Sequence, residues 1–426
     1  MIDNPADAAR PQLDLVIVGL GCVGLPLARI ACELGWRVAG YELDASRVSL
    51  LRDGKSVVDD VSDADVEQMN RSGFVATGDS EVLGRAATVV ICVPTPLSDD
   101  RQPDLTSVIA AAKDVTARLT PGTLVVLEST TYPGTTDEVL RPILEENGLR
   151  AGVYFHLAFA PERIDPGNEL PLRAIPRVVG GVTPSCTEAA ALFYGKLVYR
   201  VVTARSAREA EMSKLIENIY RQVNIALVNE LAMVSRSLRV DLWDAISCAA
   251  SKPYGFQPFR PGPGVGGHCI PVDPHYLTYK LGTTGGTLRM AELADDINRG
   301  MPNYVVRRTA ELLNRRGDAM HGSTVLLLGV AYKPDVSDLR GTPALPIARQ
   351  LIELGANVSY HDPLVPDWEV DGKPVPSVID LDEAVASHDL VILLQRHSCY
   401  DDELFTRCAL LFDSCGAARS HAAEVL

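Results

Sequence analysis

Cys269 has the neighbours best suited to chemistry in this chain. It lies in Pro258-Phe259-Arg260-Pro261-Gly262-Pro263-Gly264-Val265-Gly266-Gly267-His268-Cys269-Ile270-Pro271-Val272-Asp273-Pro274, where four glycines and five prolines fall within seventeen residues. Such a run cannot continue a helix or a sheet ladder, so the backbone must be a shaped loop. Glycine lets main chain approach a ligand, and Asp273, four residues after the sulfur, is near enough to orient the thiol or a water beside it. That is what a held thiol nucleophile needs. Taken alone, the stretch reads better as an interdomain linker with an incidental cysteine; the rest of the chain reverses that and favours the nucleophile.

A second constellation opens the chain. The apolar run Leu13 to Gly19 ends in Gly19-Leu20-Gly21-Cys22-Val23-Gly24, a helical pattern follows to Leu34, and a short strand from Arg37 ends on Glu42. Gly-x-Gly-x-x-Gly inside a strand-helix-strand unit, with a carboxylate about 20 residues on, is the dinucleotide fingerprint. Gly19 makes the turn, Gly21 admits the pyrophosphate and Gly24 lets helix pack on strand. Cys22 and Val23 complete the turn at the helix N-terminus that receives the phosphates. Glu42 accepts from ribose hydroxyls and repels a 2′-phosphate, which predicts NAD over NADP. Arg47 either covers the adenine or lies on a solvated helix, and both readings stand.

Further strands are expected at Ala87 to Val93, running into Pro94-Thr95-Pro96, at Leu124 to Glu128, running into Ser129-Thr130-Thr131, and at His156 to Ala160, running into Pro161-Glu162-Arg163-Ile164. Their alternation with helices is that of a parallel sheet, whose carboxyl edge binds ligands. Thr95 and Thr130 can cap helices there and touch a ligand at once. A charged triplet between prolines is more often solvated than catalytic; Glu162 is raised by its place straight after a strand.

From Ala207 the chain runs some thirty residues without glycine or proline. That predicts a long helix serving as a spine or a dimer contact. Lys214 and Asn218, four apart, share one of its faces. A second α/β unit begins at Val325-Leu326-Leu327-Leu328-Gly329 and echoes the first, with Leu15 to Gly19 matching Val325 to Gly329 and Glu42 matching Asp362. About ten residues are added between strand and helix, where Tyr332-Lys333 through Arg340-Gly341-Thr342 replaces the glycine fingerprint. Lys333 and Arg340 offer side-chain cations where the first copy offers backbone N–H groups. Two nucleotide-like ligands, one per α/β domain, are expected, although a duplication with one site lost gives the same pattern.

The 426 residues call for two or three domains, and 46% apolar with 22% charged residues is ordinary for a soluble globular protein. A formal charge of -15 argues against general nucleic-acid or anionic-membrane binding. Nine irregularly spaced cysteines make neither a disulfide framework nor a zinc ribbon, so a reducing cytoplasm and no metal are expected. The polar start lacks a signal peptide, and the apolar runs are strand-sized, so no membrane span is expected.

In order along nearly the whole chain, the fingerprint, Pro94-Thr95-Pro96, Glu128-Ser129-Thr130, Pro161-Glu162, Lys214 with Asn218, the Cys269 loop with Asp273, and Tyr332-Lys333 with Arg340 resemble the UDP-glucose/GDP-mannose dehydrogenases, the nucleotide-sugar 6-dehydrogenase family. The loop Gly266-Gly267-His268-Cys269-Ile270-Pro271-Val272-Asp273-Pro274 is similar to that of the branch acting on UDP-N-acetylhexosamines, notably UDP-N-acetylglucosamine. The resemblance implies two Rossmann-like doubly wound domains joined by a long central helix and a helical dimerisation domain. The expected divisions are 1–203 for NAD, 204–302 for the dimer and the cysteine loop, and 303–426 for the UDP-sugar.

It further implies oxidation of the sugar CH2OH to a carboxylate with two NAD in succession. Lys214, hydrogen-bonded with Asn218, would hold the alkoxide, with Asp273 as base directly or through water. Cys269 would form a thiohemiacetal and then a thioester, hydrolysed by water that Glu162 activates, helped by Thr130 or Asp273. Pro94, Thr95 and Arg340 would line the cofactor, while Arg163, Ile164, Arg260, Gly264, Gly266, Tyr332 and Lys333 would line the substrate. One departure is plain: where the family carries an Asp-x-Arg supplying a substrate arginine, this chain has Asp413-Ser414-Cys415. Either Arg419 or another cation compensates, or substrate affinity or choice differs.

Two other classes fit parts of the pattern. A two-electron hydroxyacid dehydrogenase shares the fingerprint and a helical domain but needs no thiol nucleophile, and a non-catalytic NAD-binding module needs no chemistry at all.

Overall fold

The computed structural model describes residues 12–98, 100–163, 170–418 and 423–426. They divide into two compact units, one of residues up to Glu217 together with His275–Gly286, the other of Asn218–Pro274 and Thr287–Leu426.

The first unit is built on eight strands: β1 (Leu13–Val18), β2 (Val38–Tyr41), β3 (Val75–Thr77), β4 (Ala86–Ile91), β5 (Leu124–Leu127), β6 (His156–Phe159), β7 (Arg177–Gly181) and β8 (Val201–Thr203). Their spatial order is β3-β2-β1-β4-β5-β6-β7-β8. All neighbours are parallel except β6 with β7. The first six follow the 3-2-1-4-5-6 order of the dinucleotide fold, which puts a crevice at the carboxyl ends of β1 and β4, where strand order reverses. Sequences such as Ala86-Ala-Thr-Val-Val-Ile91 form central strands because both sheet faces are covered, leaving no alternating polar face. Leu15, Ile17, Val90 and Val126 accordingly sit in one buried core with the helix Gly24–Glu33.

The second unit holds an all-parallel sheet of β9 (Thr324–Leu328), β10 (Asn357–His361), β13 (Leu390–Leu393), β14 (Leu411–Asp413) and β15 (Ala423–Val425), in the order β10-β9-β13-β14-β15. A small antiparallel pair, β11 (Glu369–Val370) and β12 (Lys373–Pro374), stands apart. The helix Ala344–Glu353 packs its buried Ile347, Ala348 and Leu351 into the same core as Val325 and Leu327.

The expected long helix runs Ala207–Ser235 and a second, Arg289–Arg316, contains Pro302. Met301, Val305 and Leu312 of the latter are buried with Val228 and Ala232 of the former. Among the described residues no helix is long and apolar enough to cross a membrane.

Candidate functional site

In the first unit the site residues stand at the ends of β1, β4, β5 and β6. Gly19 has φ +90°, and a Cβ there would lie 2.6 Å from the Cys92 carbonyl oxygen; one on Gly24 would lie 2.0 Å from the Gly19 oxygen. These two glycines are therefore compulsory for the strand-to-helix turn. Glu42 accepts from the Leu20 N–H at 3.0 Å and the Asp44 N–H at 3.1 Å. An ionised carboxylate has about four acceptor positions, so two remain for ribose hydroxyls. Arg47 sits on the helix Ala45–Arg52, half exposed, with Nη1 3.9 Å from where a Gly21 Cβ would be.

Past β4, the Thr95 carbonyl accepts from Tyr276 Oη at 2.8 Å, and Ser129 Oγ donates to the Val93 carbonyl at 2.7 Å, joining the loops after β4 and β5. Pro94 is exposed, and Thr95 and Thr130 are partly exposed. Behind them Glu128 is fully buried, accepts from Tyr194 Oη and lies 3.5 Å from Arg177 Nη1, which also donates to the Pro161 carbonyl at 3.0 Å. Burial holds the Glu128 carboxyl above the usual carboxylate range in spite of Arg177. Arg177 thus ties the strand end carrying Thr130 to the one carrying Glu162.

Glu162 is itself buried, and Lys214 Nζ donates to its carbonyl at 2.9 Å and its Oε1 at 3.0 Å. Arg163 is committed to the protein: it pairs with Glu217 at 2.7 Å and donates to the Pro176 carbonyl at 3.0 Å. Ile164 lies outside the described residues, as does Arg419.

In the second unit the cysteine loop is anchored at both ends. Its beginning hangs on a buried amide relay: Gly262 N–H donates to Asn229 Oδ1 at 2.9 Å, Asn229 Nδ2 to Asn298 Oδ1 at 2.9 Å, and Asn298 Nδ2 to the Gln222 carbonyl at 3.2 Å. Its end enters the helix Asp273–Gly282, where Asp273 N–H donates to the Cys269 carbonyl at 2.8 Å. Asp273, 2% exposed, accepts from Asn218 Nδ2 on the long helix. The sequence pairing of Lys214 with Asn218 thus becomes two pairings, Lys214 with Glu162 and Asn218 with Asp273.

Between these anchors the loop lies on the second α/β fold. A Cβ on Gly266 would fall 2.7 Å from Tyr332 Cβ, and one on Gly267, at φ +85°, 2.9 Å from the Tyr332 ring. Gly267 N–H donates to the Arg340 carbonyl at 2.9 Å, and Gly264 packs on Pro343. Arg340 clasps Asp338 at 2.6 Å, Lys333 is partly exposed, and Arg260 stacks over Trp243 at 5.2 Å. Cys415, at the position of the missing arginine, turns its thiol to the buried Asp413 at 3.4 Å.

Sequence reasoning did not find Arg177, Asn229 or Asn298. An asparagine inside a long helix, as Asn229 is, was the available signal; Arg177 in a short strand gave none.

NAD fits the first half. The turn over Gly21 is open where a Cβ would intrude, the helix after it has no side-chain cap at its N-terminus, and Glu42 keeps acceptor positions.

Residues 13–198 match the NAD binding domain of the UDP-glucose/GDP-mannose dehydrogenase family, 208–300 its central domain and 326–418 its UDP binding domain. The chain is 37% identical over 359 residues to a UDP-N-acetyl-D-glucosamine 6-dehydrogenase of Pseudomonas aeruginosa, covering 83% of each. It is 33% identical to an NDP-N-acetyl-D-galactosaminuronic acid dehydrogenase of Ralstonia solanacearum, covering 89% of this chain and 90% of the relative. A solved UDP-D-ManNAc dehydrogenase of Pyrococcus horikoshii superposes with a TM-score of 0.85 at 29% identity, over 97% of this chain and 99% of that one. These matches do not favour the hydroxyacid or non-catalytic readings. The chain belongs to the UDP-glucose/GDP-mannose dehydrogenase family and is an NAD-dependent nucleotide-sugar dehydrogenase.

Proposed function

We propose that the enzyme oxidises the 6-CH2OH of a UDP-N-acetylhexosamine, UDP-N-acetylglucosamine first among them, to the uronate through covalent intermediates on Cys269. When bound, NAD supplies the hydride acceptor for each of two oxidations. Lys214 and Asp273 manage the alcohol proton, Lys214 stabilising the developing alkoxide. The Cys269 thiolate adds to the aldehyde carbon to give a thiohemiacetal, whose oxidation leaves a thioester. Glu162, with Thr130 beside the cofactor turn, activates the water that hydrolyses it, returning the thiol and releasing the carboxylate. Burial of Glu162, Lys214 and Asp273, with Lys214 bonded to Glu162 and Asn218 to Asp273, supports giving them these roles.

The observation that carries this reading is the long helix with two polar residues, four apart, each committed to a buried carboxylate: Lys214 to Glu162, and Asn218 to Asp273 at the foot of the cysteine loop. A linker with an incidental cysteine would not need that pair at its exit. In the second half, Gly264, Gly266 and Tyr332 shape the loop, and Lys333 and Arg260 are assigned to the diphosphate and sugar. The working division is 1–203, 204–302 and 303–426, in the reducing cytoplasm. We assign a homodimer to the long helix, where Tyr220, Leu227, Leu231 and Val234 are all more than 40% exposed at helical spacing.

The test is a panel of UDP-glucose, UDP-N-acetylglucosamine, UDP-N-acetylgalactosamine, UDP-N-acetylmannosamine and GDP-mannose with NAD, following NADH and product mass. Two NADH per UDP-N-acetylglucosamine is the expected result. Cys269→Ser should cut uronate formation by about 10³-fold or more. Normal uronate formation by that variant, or no turnover of any sugar nucleotide by the parent, would defeat the proposal.

A further inference from the structure

Glu211 is a buried carboxylate that the reaction described above does not use. It is 0% exposed, and it accepts three hydrogen bonds from one short segment: the Gly134 N–H at 2.6 Å, the Thr136 N–H at 2.8 Å and Thr136 Oγ1 at 2.7 Å. Gly134 has φ +101°, and the segment then enters a π-helical turn, Thr135–Leu140, that has no side-chain cap of its own. Two N–H groups at such an entry have no intrahelical partner, and Glu211 supplies the acceptor from another element. Just upstream, Thr131 is fully buried with its hydroxyl lacking a hydrogen-bond partner, so this stretch is held by what grips it from outside.

Glu211 lies three residues before Lys214 on the long helix, and Ser129 at the other end of the segment is fixed to the Val93 carbonyl. We infer that Glu211 is a positioning residue: its carboxylate clamps the segment Ser129–Thr136, which carries Thr130, to the helical turn that carries Lys214, and the clamp loosens when it takes up a proton. The inference rests on the roles proposed for Thr130 and Lys214.

The charge on this clamp is expensive to keep. Burial pushes the Glu211 carboxyl up to about 7, against the three hydrogen bonds from Thr136 and Gly134, and Asp137 on the π-helical turn pushes the same way. The cations facing it are engaged elsewhere: Arg208, from its own helix, with Asp137 at 3.2 Å and Glu138 at 2.9 Å, and Lys280, from the helix Asp273–Gly282, with Glu138. Tyr132 is the remaining titratable neighbour, and its hydroxyl stays protonated, held up by burial. A protonated Glu211 has fewer acceptor positions and loses the charge that strengthens all three bonds, so the clamp weakens.

The test is the pH profile of kcat for the parent, Thr136→Val and Glu211→Gln on the same sugar nucleotide. The parent should lose rate on the acid side with a midpoint near 7. Thr136→Val deletes one bond to the ionised form and should move that midpoint up by about one pH unit without abolishing turnover. Glu211→Gln should flatten the acid limb and hold the rate at the parent's low-pH level. An acid limb at the same pH in the parent and Thr136→Val overturns the inference, as does a parent without one. Absence of sugar oxidation in the parent would instead strike the proposed reaction, so the two failures are distinguishable.

Discussion

The two α/β sheets begin alike and then use the same carboxylate for different ends. In each, a glycine with left-handed φ ends the first strand, Gly19 at +90° and Gly329 at +74°, and donates its N–H to the last residue of the second strand, Tyr41 or His361. In each, the following N–H donates to the next acid, Leu20 to Glu42 and Val330 to Asp362. From there they part. Glu42 accepts from two backbone N–H groups and stays partly exposed. Asp362 is buried and accepts from four donors of the protein itself, Val330, Ala331 and His397 at Oδ2 and Leu364 at Oδ1. The acid that keeps acceptor positions open in one copy has become a structural hub in the other.

The largest expected effects would show that the shared turn is equally indispensable. A Cβ on Gly329 would stand 2.2 Å from the Gln395 carbonyl oxygen, as one on Gly19 would stand 2.6 Å from that of Cys92. Neither backbone can give way cheaply. Gly19→Ala and Gly329→Ala should each cost about 3 kcal/mol or more, measured by denaturant unfolding. A mild effect in only one of them would break the equivalence.

Asp362→Asn should come next, at about 3 kcal/mol, because it removes the charge that four donors converge on. It should leave the KM for NAD unchanged. Burial raises the Asp362 pKa, but the hydrogen bonds from His397, Ala331 and Leu364 prevail and hold it below the ordinary 3.8. Its stabilisation is therefore complete at neutral pH, above the unfolded-state value, and is lost as pH falls through the lowered one. Parent and variant stabilities should converge only as pH falls below that lowered value. A constant gap down to acid pH would show that the charge is not what matters.

How much of this was legible in the sequence depends on where each cause resides. The glycine turns, the strands and the long helix are local consequences of residue type, so Gly19-x-Gly21-x-x-Gly24 and the glycine-free run from Ala207 predicted them. The echo of Glu42 in Asp362 was also visible. Its change of role was not, because that depends on His397, thirty-five residues away along the chain. For the same reason Lys214 and Asn218 were found by spacing, while their separate partners, Glu162 and Asp273, required the fold. Arg163 looked like a substrate ligand beside Glu162, yet Glu217 and the Pro176 carbonyl claim its guanidinium.

Glu42→Ala and Arg47→Ala make the smallest and sharpest test. Removing Glu42 deletes the ribose acceptor and should raise the KM for NAD about tenfold, near 1.4 kcal/mol, with little loss of stability because its bonds are at a partly exposed turn. Arg47, half exposed and 3.9 Å from Asp44, is weakly held, so Arg47→Ala alone should change that KM by only about twofold. The informative variant is the combination. With Glu42 gone, the Arg47 guanidinium near the open turn at Gly21 becomes an attractive partner for a 2′-phosphate, so Glu42→Ala should gain measurable activity with NADP. Adding Arg47→Ala should remove that gain while leaving the NAD defect where it was. If NADP activity persists in the double variant, Arg47 belongs to the solvated helix surface, and cofactor choice in this copy is set by Glu42 alone.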